Sequence, residues 1–137
     1  MGRNKRPSWT YLTIADRRKF NGQAVATELF LKDSVKVFSS GRTEKEARKT
    51  AQQAGQNIFN IFWVPLIEEQ RRFFADSDKV RDAFGGQYVV ASDFKNLEIV
   101  VADKNPEKAL AKARQEKIDN PVIYFLRPKG EKFYLAV

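Results

Sequence analysis

Cysteine and histidine are both missing from the sequence. Without cysteine there is no disulfide framework, no thiol nucleophile and no thiolate zinc site. Without histidine there is no imidazole base, no serine–histidine triad and no imidazole metal ligand. Acid–base chemistry is left to carboxylates, lysines and tyrosines. Long apolar runs are missing too: none approaches the roughly 20 residues that cross a bilayer as a helix. The basic start, MGRNKRPSW, is followed by no apolar stretch and does not read as a secretory signal. Arg6 stands where the myristoylation pattern begun by Gly2 requires Ser or Thr. These absences lead us to expect a cytoplasmic protein that is not an enzyme. They also lead us to expect no metal, no cofactor, no small-molecule substrate and no membrane contact.

What is present is an ordinary globular composition, 42% hydrophobic and 31% charged over 137 residues. That length supports one compact unit or two very small ones. The net charge is +8, from 25 Lys and Arg against 17 Asp and Glu. It is unevenly spread. Arg3, Lys5, Arg6, Arg17, Arg18 and Lys19 oppose a single acid, Asp16, within the first twenty residues. The remainder is nearly balanced, as soluble surfaces usually are.

Displacing the chain by 63 residues aligns Arg18–Glu68 with Arg81–Glu131 without a gap. Identical pairs include Gly22/Gly85, Lys45/Lys108, Lys49/Lys112, Gln52/Gln115, Phe62/Phe125 and Pro65/Pro128. Each copy reads as a short helix ending at Gly22 or Gly85, an extended pair, a helix and an apolar strand. The extended pairs are Ala24–Leu31 with Val35–Ser39, and Gln87–Phe94 with Leu97–Ala102. Lys32-Asp33-Ser34 and Lys95-Asn96 supply the turns. Thr43 with Glu46 fits a capping box, and Asn105-Pro106 fits an N-cap followed by a first-turn proline. The apolar strands, Ile58–Val64 and Val122–Leu126, suggest cover on both faces. Lys132–Val137 is expected to fold back through the turn at Pro128. The expected fold class is α+β: two tandem helix–strand–strand–helix–strand repeats packed on each other, or brought together by dimerisation. The expected boundaries are a basic extension over 1–15, a first unit over 16–65, a helical connector over 66–76 and a second unit over 77–137.

The second copy carries Tyr88-Val89-Val90, then Asn105-Pro106-Glu107-Lys108-Ala109-Leu110, then an interval from Pro121 to Pro128. Over about residues 77–131 this resembles a family of short uncharacterised bacterial and archaeal domains of unknown function. The resemblance implies a fold and brings no site residues. Gly41–Gly55, GRTEKEARKTAQQAG, looks like the last helix of double-stranded RNA-binding domains. It departs from them in breaking the lysine pair with Glu44 and Glu46, and in being followed at once by a strand. The strand–strand–helix–strand rhythm is also similar to HicB-like antitoxins.

The basic N-terminal segment interleaves cations with Trp9 and Tyr11, a pattern that suits phosphate contact plus base stacking. We therefore expect a small binding module, nucleic-acid-associated through Arg3, Lys5, Arg6, Trp9, Arg17, Arg18 and Lys19. Lys45, Lys49, Lys108 and Lys112 form secondary basic helix faces, each pair one turn apart. The competing expectation is a protein-interaction module, antitoxin-like or an assembly partner, with no nucleic-acid binding. Trp9–Ile14 alternates like a strand. Asp76 and Asp78 are placed at a helix N-terminus rather than on a metal, and Phe73 and Phe74 in an inter-repeat core.

Overall fold

A computed structural model describes residues 6–92, 98–118 and 121–128. A 3-10 turn, Ser8–Tyr11, precedes helix α1 (Ile14–Lys19), strands β1 (Gln23–Thr27) and β2 (Val37–Gly41), helix α2 (Glu44–Gln53) and strand β3 (Asn60–Val64). Two helices, α3 (Ile67–Ala75) and α4 (Ser77–Phe84), then lead to strands β4 (Gln87–Ala91) and β5 (Ile99–Asp103), helix α5 (Pro106–Gln115) and strand β6 (Val122–Leu126). The class is α+β. No helix among the described residues is long and apolar enough to cross a membrane. The expected turn at Lys95-Asn96 and the returning segment 132–137 lie outside the described residues.

Capping chemistry fixes the helix starts. Thr43 Oγ1 accepts from the Glu46 amide at 3.2 Å, and the Glu46 carboxylate accepts from the Arg42 amide at 2.9 Å. Asn105 Oδ1 accepts from the amides of Glu107 and Lys108, with Pro106 at the first helical position. Asp76 caps α4 in the same way, through the amides of Asp78 and Lys79.

The strands form two three-stranded antiparallel sheets, ordered β2-β1-β3 and β5-β4-β6. In each, the first strand of the hairpin is central, and the strand after the helix pairs on its other side. The pairings correspond. Ala24↔Gly41 to Ala26↔Ser39 is followed by a slip to Thr27↔Val37, and Tyr88↔Asp103 to Val90↔Val101 by a slip to Ala91↔Ile99. Gly22 donates to the Val64 carbonyl and Gly86 to the Leu126 carbonyl, both at 2.8 Å. These glycines have φ of 72° and 83°, which side chains rarely tolerate. A Cβ on Gly22 would also stand 2.8 Å from Leu66 Cδ2.

The ungapped shift of 63 is not the structural correspondence. Gln23 matches Gln87, 64 residues on, whereas Val37, Glu44 and Asn60 match Ile99, Pro106 and Val122, 62 on. The reason is the hairpin connection, residues 28–36 in the first sheet but the shorter 92–98 in the second. The helix caps Thr43 and Asn105 then coincide, as do the buried pairs Ala47/Ala109 and Ala51/Ala113.

Sequence and structure differ on two further elements. The segment from Trp9 is a 3-10 turn rather than a strand: Pro7 fixes its entry, and the Pro7 carbonyl accepts from both the amide and the hydroxyl of Thr10. The apolar strands are not covered on both faces. α2 lies mainly over β2 and β1, where Ala24, Ala26, Ala47 and Ala51 allow a close approach. The edge strand β3 is left partly bare, with Trp63 48% exposed. Phe125 of β6 is 47% exposed in the corresponding place.

The inner faces meet a shared aromatic cluster. Trp9, Leu12, Val25, Val35 and Val64 form one core and Val80, Ala83, Phe84, Val89, Ile99 and Ala102 another. Phe73 and Phe74 pack against both. With Trp9 they make three edge-on ring contacts, at centroid distances of 5.4, 5.6 and 5.2 Å.

Candidate functional site

The basic N-terminal residues divide sharply once folded. Arg17 is fully buried. Its guanidinium donates to the Ile99 carbonyl at 2.6 Å, to the Thr10 carbonyl, and to Glu98 at 3.4 Å. Burial pulls its pKa down to about 10, with Glu98 opposing the shift, so it remains a cation near neutral pH. Arg6 donates to the hydroxyl and carbonyl of Thr10, both at 3.0 Å, and pairs with Asp33. Its guanidinium also sits 3.9 Å from the Tyr11 ring centroid. Trp9 is 8% exposed. These three side chains are committed to the interior. Arg18 and Lys19 are exposed on α1, and Arg3 and Lys5 lie outside the described residues.

The helix faces also differ from the expected symmetric pair. Lys45 and Lys49 are exposed on α2. In the structural correspondence Lys45 matches Glu107, so Lys108 and Lys112 do not form the equivalent track. Lys108 is exposed, whereas Lys112 bonds Asp103 at 3.0 Å and reaches Asp33 at 3.5 Å. The Asp103 carboxyl is held below its usual range, chiefly by the Asn105 amide and then by Lys112, against the cost of burial.

Asp33, unremarkable in sequence, is the hub of the junction between the sheets. Its side chain is 2% exposed. One oxygen takes Arg6; the other accepts from the Ala102 amide at 3.1 Å and faces Lys112. Next to it, Ser34 adopts φ 65° and donates to Glu116 at 3.1 Å. Glu116 borders a cavity of about 320 Å³ lined by Thr13, Ile14, Ser34, Val100 and Ile118 among others. Burial pushes its pKa up to about 6; bonds from Ser34 and the Ile14 backbone and the charge of Arg17 work against that. The sequence carries no signal for this pair, because its members are 82 residues apart. No cluster of acids that would hold a metal occurs among the described residues.

The other distinctive surface is apolar. Among the described residues, the exposed large hydrophobic side chains are Leu29, Phe30, Ile58, Trp63, Leu66 and Phe125. All but Phe125 lie on β3, at its ends, or beside it. Leu29 and Phe30 are brought there by Asn60, whose side-chain amide donates to the Glu28 carbonyl at 3.2 Å and to the Leu29 carbonyl. A signal did exist: no charged residue occurs between Lys49 and Glu68. No family model, curated protein or solved structure matches the chain.

Proposed function

We propose that the protein is a small non-enzymatic binding module, built on the uncharacterised domain pattern it resembles, whose partner is another protein engaged along β3. One observation carries this reading. Five large apolar side chains are exposed along one sheet edge: Trp63 in β3, Ile58 and Leu66 just beyond its two ends, and Leu29 and Phe30 in the connection that Asn60 holds beside it, with Phe30 at 81% and Ile58 at 69%. Large exposed apolar side chains concentrated in one region mark interaction surfaces, whereas single scattered ones do not. In a pull-down with the purified chain, we expect a partner that stays bound at about 1 M salt, where the screening length is only about 3 Å. An Ile58→Lys, Trp63→Lys double variant should lose it. Release by moderate salt, or retention by the variant, would overturn the reading.

A second reading, nucleic-acid association, draws on the net charge of +8 and on the exposed Arg18, Lys19, Lys45 and Lys49. The burial of Arg6, Trp9 and Arg17 removes three of its seven leading residues. Titration of mixed-sequence DNA and RNA at low salt tests it. Each phosphate contact on duplex DNA contributes a slope of about −0.9 in log K against log salt.

A further inference from the structure

The β3 edge has a backbone to offer as well as side chains. β3 pairs with β1 alone among the described residues, so no described strand takes up the amides and carbonyls of its outer edge. Natural edges are usually blunted by charge, proline or a bulge. β3 has none of these: Asn60–Val64 is uncharged, its pairing to β1 is regular, and Pro65 lies just beyond it. Phe62 and Val64 point into the inner core. Trp63, between them, therefore lies on the face that carries α2. There Arg48 of α2 sits 5.9 Å from the ring centroid of Phe59, the residue just before β3. Among the described residues Arg48 has no ion pair. The exposed charged side chains of α2 and of Arg42 just before it, Arg42, Lys45, Arg48 and Lys49 against Glu44 and Glu46, give this helix a basic excess.

From this juxtaposition we infer that β3 accepts an extended, acidic segment of the partner protein as an added strand. Main-chain bonds to the open edge would supply affinity, and alternate side chains specificity. One row of the added strand packs on Trp63 and Phe59, and a carboxylate in that row meets Arg48. A second copy of this chain is the poorer occupant, since it brings another +8 to an already basic flank. The inference rests on the protein-binding reading but is narrower.

The test uses the full chain and three short peptides: valine alternating with glutamate, valine alternating with lysine, and the glutamate peptide with a central proline. Binding is read by calorimetry, and its place by hydrogen exchange over residues 58–66. The glutamate peptide should bind and protect β3. The lysine peptide should bind at least about tenfold more weakly, the scale of one charge-assisted hydrogen bond. The proline peptide should give no protection, since it lacks a ladder donor. Arg48→Glu should reverse the preference between glutamate and lysine, and its far-ultraviolet circular dichroism checks that it folds. Three results would overturn the inference: no binding by any peptide, equal binding by the proline peptide, or self-association abolished by Ile58→Lys, which would make a second copy the occupant. If the peptides fail while the salt-resistant partner is still captured and still lost in the Ile58→Lys, Trp63→Lys variant, only this inference falls. If that partner fails as well, the protein-binding reading falls with it.

Discussion

Arg17 shows how far a side chain's role depends on where the fold puts it. Within a run of three cations it reads as a phosphate contact. Folded, it is a buried charge whose donors serve Glu98 and two main-chain carbonyls from opposite parts of the chain. Arg17→Met should cost about 3–5 kcal/mol, the usual scale for breaking a buried pair, because Glu98 and both carbonyls lose their donor. Urea unfolding would measure it; a cost near zero would mean the network contributes no net stability. Glu116 gives a pH prediction. Its folded pKa, about 6, lies above the unfolded value of 4.5. The folded state therefore binds the proton more tightly. The resulting stability is fully present below pH 4.5 and is lost as pH rises through about 6. The carboxyl is partly solvated, so the effect should be on the order of 1 kcal/mol. Comparing unfolding free energies at pH 4.5 and 7.5 in the native chain and in Glu116→Gln isolates it: stability at pH 4.5 relative to pH 7.5 should be lower in the variant than in the native chain.

At the scale of elements, local chemistry was easy to read where it is self-contained. Thr43, Asp76 and Asn105 each satisfy helix amides within three residues, and sequence spacing alone locates them. Asn105→Ala should cost about 1 kcal/mol, seen as a lower denaturation midpoint with an unchanged slope. Gly41 is a sterner case. A Cβ there would stand 2.6 Å from Glu46 Cβ and 2.8 Å from the Ala47 amide nitrogen. Both atoms belong to the first turns of α2 and cannot swing away, so Gly41→Ala should destabilise the protein by about 1–3 kcal/mol, the range for overpacking. A variant as stable as the native chain would show that α2 can shift off β2. The strand expected from Trp9 failed because alternation over a few residues cannot compete with Pro7 and the Thr10 hydroxyl. The apolar strands misled for a different reason. A run such as NIFWV records hydrophobicity but not which strand of the sheet it occupies, and β3 and β6 are edges.

At the scale of the whole molecule, the two sheets are joined by shared groups. Phe73 and Phe74 belong to both inner cores, and Asp33 reaches from the first hairpin to Ala102 and Lys112. Unfolding should therefore be a single transition, with circular dichroism and tryptophan fluorescence coinciding and the calorimetric and van't Hoff enthalpies equal. Two separate transitions would show that the sheets fold independently. Phe74→Ala should lower stability by about 3 kcal/mol without splitting the transition, the low end for a phenylalanine because the ring is only partly buried.

The sequence by itself determined the α+β class, the order of the helices and strands from α1 to β6, the helix caps and the absence of cysteine and histidine chemistry. All of these depend on composition or on groups a few residues apart. The tertiary structure decided which cations are free and which are buried, where an uncharged strand meets an open sheet edge, and how Ser34 comes to face Glu116. Those outcomes depend on residues up to 82 positions apart, whose meeting is set by packing and strand order and leaves no periodic trace in the chain.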